Sequence, residues 1–160
     1  MKQHQYQIDL QWTGNRGEGT RTYRAYDREY QIHAPGKGAP IAGSSDPSFR
    51  GKAAHYNPEE LLVAALSSCH MLWYLHLCSV RGVEVVAYED RAAGTMLEEE
   101  KTGSGRFSEV CLYPRVTITR ADQVALAEQL HAEASQHCFI ANSCNFSIHH
   151  APSTTVVGTV

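Results

Sequence analysis

Asn57–Val80, NPEELLVAALSSCHMLWYLHLCSV, decides how the rest of the chain is read. Asn57 suits a helix N-cap. Pro58 then falls at the first helical position, where its missing N–H costs nothing, and Glu60 at the third can reach back to the cap backbone. Glu59 and Glu60 place negative charge where the helix dipole favours it. Beyond them Leu61, Leu62, Val63, Ala64, Ala65, Leu66, Met71, Leu72, Trp73, Leu75 and Leu77 are apolar almost all the way round. That pattern predicts a central, buried helix rather than a surface helix with one apolar stripe. Ser67, Ser68, Cys69, His70 and His76 interrupt the run, which leaves it short of the ~20 apolar residues of a membrane span. Cys69 stands in the middle of this helix, and the purpose of its thiol is the question the sequence poses.

The bulk numbers bound the answer. The chain has 160 residues, enough for one domain, 1–160, with a substantial core. It is 42% hydrophobic and 19% charged, with a formal net charge of −3, so nothing points to a nucleic-acid or membrane partner. The N-terminal MKQHQYQIDL is polar and alternating, without the apolar core of a secretory signal, and the expectation is a cytoplasmic protein in a reducing compartment. Cys69, Cys78, Cys111, Cys138 and Cys144 are odd in number and form no C-x-x-C pair. A structural disulfide framework is not expected; a transient, catalytic disulfide is the more natural use.

Around the helix the pattern is of strands. Gln5–Trp12 alternates, with Tyr6, Ile8, Leu10 and Trp12 on one face. A glycine-rich turn, Thr13–Gly19, carries Arg16, and Thr20–His33 alternates again with a hairpin turn at Asp27-Arg28. Ala34–Tyr56, rich in Gly, Pro, Ser and Lys, reads as a long connection with one short strand at Pro40–Ala42. Two long strands, Val83–Leu97 and Arg106–Thr119, flank the turn Glu98–Gly105, with Pro114 marking a bulge or edge. A second helix, Ala121–His137, is capped by Thr119 with Asp122. The segment Cys138–Cys144 reads as a turn or short helix, and Phe146–Val160 as one or two strands. The order predicts an α+β domain of antiparallel sheets around the long helix.

Two thiols have chemically interesting neighbours. Cys69 lies beside polar residues in mid-helix, and Cys138 follows His137 at the end of the second helix. A thiol that attacks a peroxide works as the thiolate and needs a cation nearby; its sulfenic acid then needs a second thiol. Glu59 offers a carboxylate that could hold an arginine bidentately, and Arg16 and Arg50 are the candidates. Ten residues on one helix separate Glu59 from Cys69 by roughly 15 Å along its axis. If both serve one site, a second copy supplies one of them, which predicts a homodimer with crossing central helices.

NPEELLVAALSSC (Asn57–Cys69) resembles the hallmark of the OsmC/Ohr family of thiol peroxidases. QWTGNRGEGT (Gln11–Thr20) is similar to that family's N-terminal strand and turn, and HCFIANS (His137–Ser143) to its second-cysteine segment. The order and spacing cover nearly the whole chain and look more like the OsmC branch than the Ohr branch. The resemblance implies an intertwined homodimer of OsmC-like fold. It implies reduction of organic hydroperoxides, and less efficiently hydrogen peroxide, regenerated by an external dithiol, with no metal or organic cofactor. Carried over, Cys69 is the peroxidatic cysteine, Cys138 the resolving one and Glu59 the carboxylate that orients an arginine. Arg50 fits the OsmC pattern and Arg16 the Ohr pattern. The chain departs from the family at Phe139, where a proline usually follows the second cysteine.

Blander readings stand beside these. A buried cysteine is usually a small hydrophobe, which suits Cys78 and Cys111. Cys144 offers an alternative resolving thiol. Glu59 is explained as first-turn charge, and Arg16 and Arg50 as solvated loop residues. His70, His131, His137 and the pair His149-His150 invite a zinc site but lack the spacing of a zinc module. A Cys–His acyl-transfer site is disfavoured because adjacent helical residues point apart. Met71, Trp73, Tyr74 and Phe139 suit either core or the wall of an apolar pocket. The rival function is an OsmC-fold protein that binds a small apolar ligand or a metal without peroxidase turnover.

Overall fold

The structure, a computed structural model, describes residues 1–158. It divides into two compact units, Met1–Leu61 and Leu62–Val160, and the boundary falls in the first turn of the long helix.

In the first unit a three-stranded antiparallel sheet joins β1 (Asp9–Trp12), β2 (Tyr30–His33) and β3 (Ile41–Gly43) in that order. Only the last four residues of the predicted first strand pair. The predicted strand from Thr20 is confined to β2, because residues 20–29 fold into turns. These turns are held by side chains: Trp12 Nε1 donates to the Asp27 carbonyl at 2.9 Å, and the Arg28 guanidinium lies 4.3 Å from the Tyr23 ring and 4.0 Å from the Tyr26 ring. A 3-10 turn at Pro47–Phe49, capped by the Asp46 carboxylate, follows β3 and ends at Arg50.

The long helix, α1 (Pro58–Arg81), starts as its sequence predicts. Asn57 Oδ1 accepts from the Glu60 N–H at 2.7 Å, and Glu60 Oε2 accepts from the Asn57 N–H at 3.1 Å. Its C-terminus is closed by Gly82 at φ +73°, which lets the Val83 N–H reach back to the Cys78 carbonyl at 2.9 Å.

In the second unit the two long strands predicted on either side of the 98–105 turn are each broken in two. β4 (Val85–Asp90) and β5 (Ala93–Glu98) replace the first; β6 (Gly105–Leu112) and β7 (Pro114–Ile118) replace the second. β8 (Ser147–His150) and β9 (Ser153–Val156) repeat the break, so three ribbons change sheet at one level and yield two sheets, β5-β6-β8 and β4-β7-β9. Pro114 lies at this corner because it lacks an N–H for an unbroken ladder. There the Tyr113 N–H donates to Asp90 Oδ1 at 2.7 Å and the Ala151 N–H to the Leu112 carbonyl at 2.9 Å. The chain's last strands pair in parallel, β6 with β8 and β7 with β9, where antiparallel connections were expected.

α2 (Val124–His137) follows a 3-10 turn at Ala121–Gln123. The expected Thr119 cap is absent; Thr119 Oγ1 donates to Glu84 instead, and Asp122 pairs with Arg120. A 3-10 turn, Ala141–Ser143, forms within the predicted Cys138–Cys144 turn.

α1 serves two cores. Leu66 packs with Val110 and Leu112 of β6, while Tyr74, Leu77 and Cys78 pack with Val116 and Ile118 of β7 and with Ala127, Leu130 and Ala134 of α2. His70, fully buried, sits between the two. The expectation of a helix buried all round is corrected within the single chain. The buried residues are Leu66, His70, Tyr74, Leu77 and Cys78, one stripe at helical spacing, while Leu72 and Val80 are 63% and 67% exposed. The sheets and α2 cover one side of the helix and leave the rest of its apolar surface open. By length and composition alone α1, with mean hydropathy 1.5 over its most apolar window, is apolar enough to cross a membrane, despite its polar interruptions. Its inward stripe nonetheless packs as a core helix does.

Candidate active site

Cys69 and Cys138 come together. Cys69 is half-buried on α1 and Cys138 is buried just past the last residue of α2, and their thiols are near enough for Cys69 to bear on the ionisation of Cys138. Residues far apart in sequence meet here because α2 packs along the Tyr74–Cys78 end of α1 and delivers its C-terminus next to mid-helix. Burial pushes the Cys138 thiol up to about 11, and the neighbouring Cys69 thiol reinforces the shift. Cys138 is therefore held as a thiol at neutral pH. The Ala141 N–H points at its sulfur from 3.4 Å. Phe139, in place of the family's usual proline, does not disrupt this turn: the Asn142 N–H bonds the Cys138 carbonyl at 3.0 Å, and the Phe139 ring stands perpendicular to that of Trp73.

An aromatic wall stands beside the thiols. Cys69, Leu72, Trp73 and His76 share one face of α1 by their spacing. Trp73 stacks on His137 at 5.0 Å between ring centres and meets Phe139 edge-on at 5.6 Å. His137 and Phe139 flank Cys138 in sequence. Leu72, Trp73 and His76 line a shallow hollow of about 190 Å³. Of the four residues suggested for an apolar wall, Trp73 and Phe139 take that place. Tyr74 turns inward to stack on His131 at 3.8 Å, and Met71 is half-buried.

The remaining cysteines have other surroundings. Cys78 is core, as expected. Cys111 is half-buried in β6 beside Tyr113. Cys144 packs against the second core, and its thiol donates to the Ile140 carbonyl at 3.3 Å.

Glu59, Arg16 and Arg50 belong to the first unit. Glu59 is half-buried in the first turn of α1 and faces Tyr30, whose hydroxyl is pushed up by burial and then by that carboxylate. Arg16 is engaged locally: it donates to the Arg24 and Ala25 carbonyls and sits 3.6 Å from Asp27. Arg50 is exposed, its guanidinium 5.9 Å from the Tyr23 ring centre. Its φ is +67°, the only left-handed φ of a non-glycine residue among the described residues. That conformation costs an L-residue about 1–2 kcal/mol. No ion pair joins Glu59 to either arginine among the described residues of the single chain.

Sequence spacing did not reveal a buried histidine cluster behind the thiols. His70 Nε2 meets His131 Nδ1 at 3.0 Å with their rings nearly parallel, and the His150 ring lies 4.4 Å from that of His70. Burial holds His70 down to about 3 and His131 to about 4, and it lowers His150 as well. In the sequence these three read as candidate zinc ligands, and His70 also as a base beside Cys69. Among the described residues no group of three or more His, Cys, Asp or Glu side chains is placed to hold a metal.

The sequence profile of the OsmC-like protein family matches residues 51–152. No protein of curated function matches the chain. Among solved structures, an OsmC-like protein of Vibrio cholerae is 28% identical, with a TM-score of 0.81, and 97% of this chain covers 100% of that one. An organic hydroperoxide resistance protein of Elizabethkingia anophelis is 16% identical, with a TM-score of 0.65 and coverage of 97% and 99%. The protein OhrB of Bacillus subtilis, also an organic hydroperoxide resistance protein, is 14% identical, with a TM-score of 0.59 and coverage of 95% and 98%. With its α+β architecture, its paired thiols and a family match over well more than half its length, the chain belongs to the OsmC-like protein family.

Proposed function

We propose that the protein is a cysteine-based peroxidase that reduces organic hydroperoxides, acting as a homodimer in a reducing compartment. The observation that carries this reading is the proximity of Cys69, half-buried, to Cys138, buried, close enough for one thiol to act on the ionisation of the other. The Cys69 thiolate attacks the O–O bond, forming an S–O bond and expelling an alkoxide that takes a proton and leaves as the alcohol. Cys138 condenses with the Cys69 sulfenic acid, releasing water and leaving the disulfide. An external dithiol reduces that disulfide by exchange and is itself oxidised. The raised Cys138 thiol suits the second role: it stays protonated while Cys69 reacts.

Arg50 is the better candidate for the activating cation, because Arg16 is occupied by its own turn and Arg50 is held in a costly backbone conformation with no carboxylate partner among the described residues. A second copy would bring Glu59 and Arg50 to Cys69 and cover the apolar face of α1 left open in one chain. The aromatic wall of Trp73 and Phe139 favours an apolar peroxide over hydrogen peroxide.

The test is peroxide consumption with dithiothreitol as reductant. Cumene hydroperoxide is expected to turn over faster than hydrogen peroxide, and Cys69→Ser to lose at least a hundredfold in rate, with a solution mass of two chains. A Cys69→Ser protein as active as the parent would sink the reading.

A further inference from the structure

The histidine cluster lies where the two thiol-bearing helices meet. His70 directly follows Cys69 on α1. His131 is on the inward face of α2, whose last turn leads into Cys138. Their hydrogen bond, 3.0 Å long and buried, joins the side chains of the two helices that carry or lead into the thiols. The outer ring nitrogens, His70 Nδ1 and His131 Nε2, have no hydrogen-bond partner among the described residues. Two neutral rings carry two N–H groups, and the shared bond uses one. Whichever tautomers are present, one buried N–H is therefore left unpaired, a cost of about 1–3 kcal/mol that the surrounding packing must offset. Burial opposes the first charge on this pair, and a doubly protonated pair would have two donors and no acceptor between the rings.

The surroundings set where protons enter. His70 faces His131 from α2 and His150 from β8; His131 is also stacked on Tyr74 of α1. Tyr74 in turn faces Cys78, Tyr88 of β4 and Glu128 of α2. His150 alone feels a carboxylate, that of Asp90, with His149 beyond it. Asp90 is fixed at the sheet corner by the Ser67 hydroxyl at 2.5 Å and the Tyr113 N–H at 2.7 Å. A proton therefore settles first on His150, and its charge then opposes neighbouring His70 and His131.

We propose that the His70–His131 hydrogen bond is a neutral clamp that positions Cys138 against Cys69, and that protons entering the histidine cluster release it and uncouple the thiols. The two histidines are positioning residues. This inference builds on the assigned thiol pair, and its test uses no peroxide, so its failure is distinguishable from failure of the peroxidase reading. A released histidine regains its ordinary affinity for protons, which favours release by up to about tenfold per histidine for each pH unit below about 6.5.

The test is disulfide closure driven by 4,4′-dithiodipyridine. Cys69 displaces one thiopyridone and becomes the mixed disulfide; Cys138 then attacks it, releasing the second thiopyridone and forming the Cys69–Cys138 bond. The closure rate is compared with that of the double variant His70→Gln, His131→Asn. Its amides replace the facing ring nitrogens and bond each other without titrating, and the thiol's own pH dependence cancels in the ratio. The expected ratio of parent to variant is near one at pH 7.5 and falls at least tenfold by pH 4.5. A ratio that stays within twofold overturns the clamp. Should the variant not fold, hydrogen exchange of the parent alone decides, corrected for intrinsic rates. Amides from Glu133 to Asn142 should lose at least tenfold protection at pH 4.5 while β4 and β7 keep theirs; retained protection at Glu133–Asn142 overturns the proposal.

Discussion

Acid should destabilise this fold well before its carboxylates protonate. His70 and His131 are 0% and 2% exposed and titrate at about 3 and about 4 when folded, against about 6.5 when unfolded. Above that value both states hold them neutral, and they add no pH dependence. Below it the unfolded chain takes up protons that the folded chain refuses, so stability falls as pH falls until the folded values are reached. At pH 5 each histidine is about 1.5 units inside that window, worth roughly 2 kcal/mol at about 1.4 kcal/mol per unit, or about 4 kcal/mol for the pair. His150 acts in the same direction. A loss of that size is a large part of the 5–15 kcal/mol typical of a domain. The assay is equilibrium urea unfolding between pH 8 and pH 5, followed by far-ultraviolet circular dichroism. The expected result is a flat stability above pH 7 and a slope approaching two protons by pH 5. A stability that stays level to pH 5, or His70 and His131 ring signals that titrate near 6.5 in the folded protein, would show that burial does not hold these rings neutral.

Other outcomes follow from particular contacts. A Cβ on Gly51 would lie 1.5 Å from the Ser45 carbonyl oxygen, so Gly51→Ala should displace neighbouring Arg50; peroxide oxidation of Cys69 should slow while dithiodipyridine closure of the thiols is unchanged. Leu130→Ala, at a fully buried position between α2 and α1, should cost about 2–5 kcal/mol in urea unfolding. Asn57→Ala removes the side-chain acceptor for the Glu60 N–H and should cost about 0.5–2 kcal/mol by the same measurement.

The long helix and its cap were legible because local chemistry sets them: Asn57, Pro58 and Glu60 act within one turn. The broken strands were not. Val83–Leu97 reads as one strand; the charged run Glu89-Asp90-Arg91 interrupts its apolar pattern but carries no Gly or Pro turn signal, and the corner arises because three ribbons bend at one level, a tertiary event at which Pro114 also hinted. The pairing of Cys69 with Cys138 followed from resemblance, since the packing that joins them runs through α2. The histidine cluster draws on residues 70, 131 and 150, and no periodicity connects three elements so far apart in sequence. Arg50 was a candidate by position alone; its left-handed backbone is visible only in the fold.

The most direct measurement is a free-thiol count and peptide map of the reduced protein after one equivalent of cumene hydroperoxide. Two thiols per chain should be lost and recovered as a Cys69–Cys138 peptide, and Cys69→Ser should abolish the loss. Thiols left untouched under conditions that oxidise a control thiol would contradict the peroxidase reading.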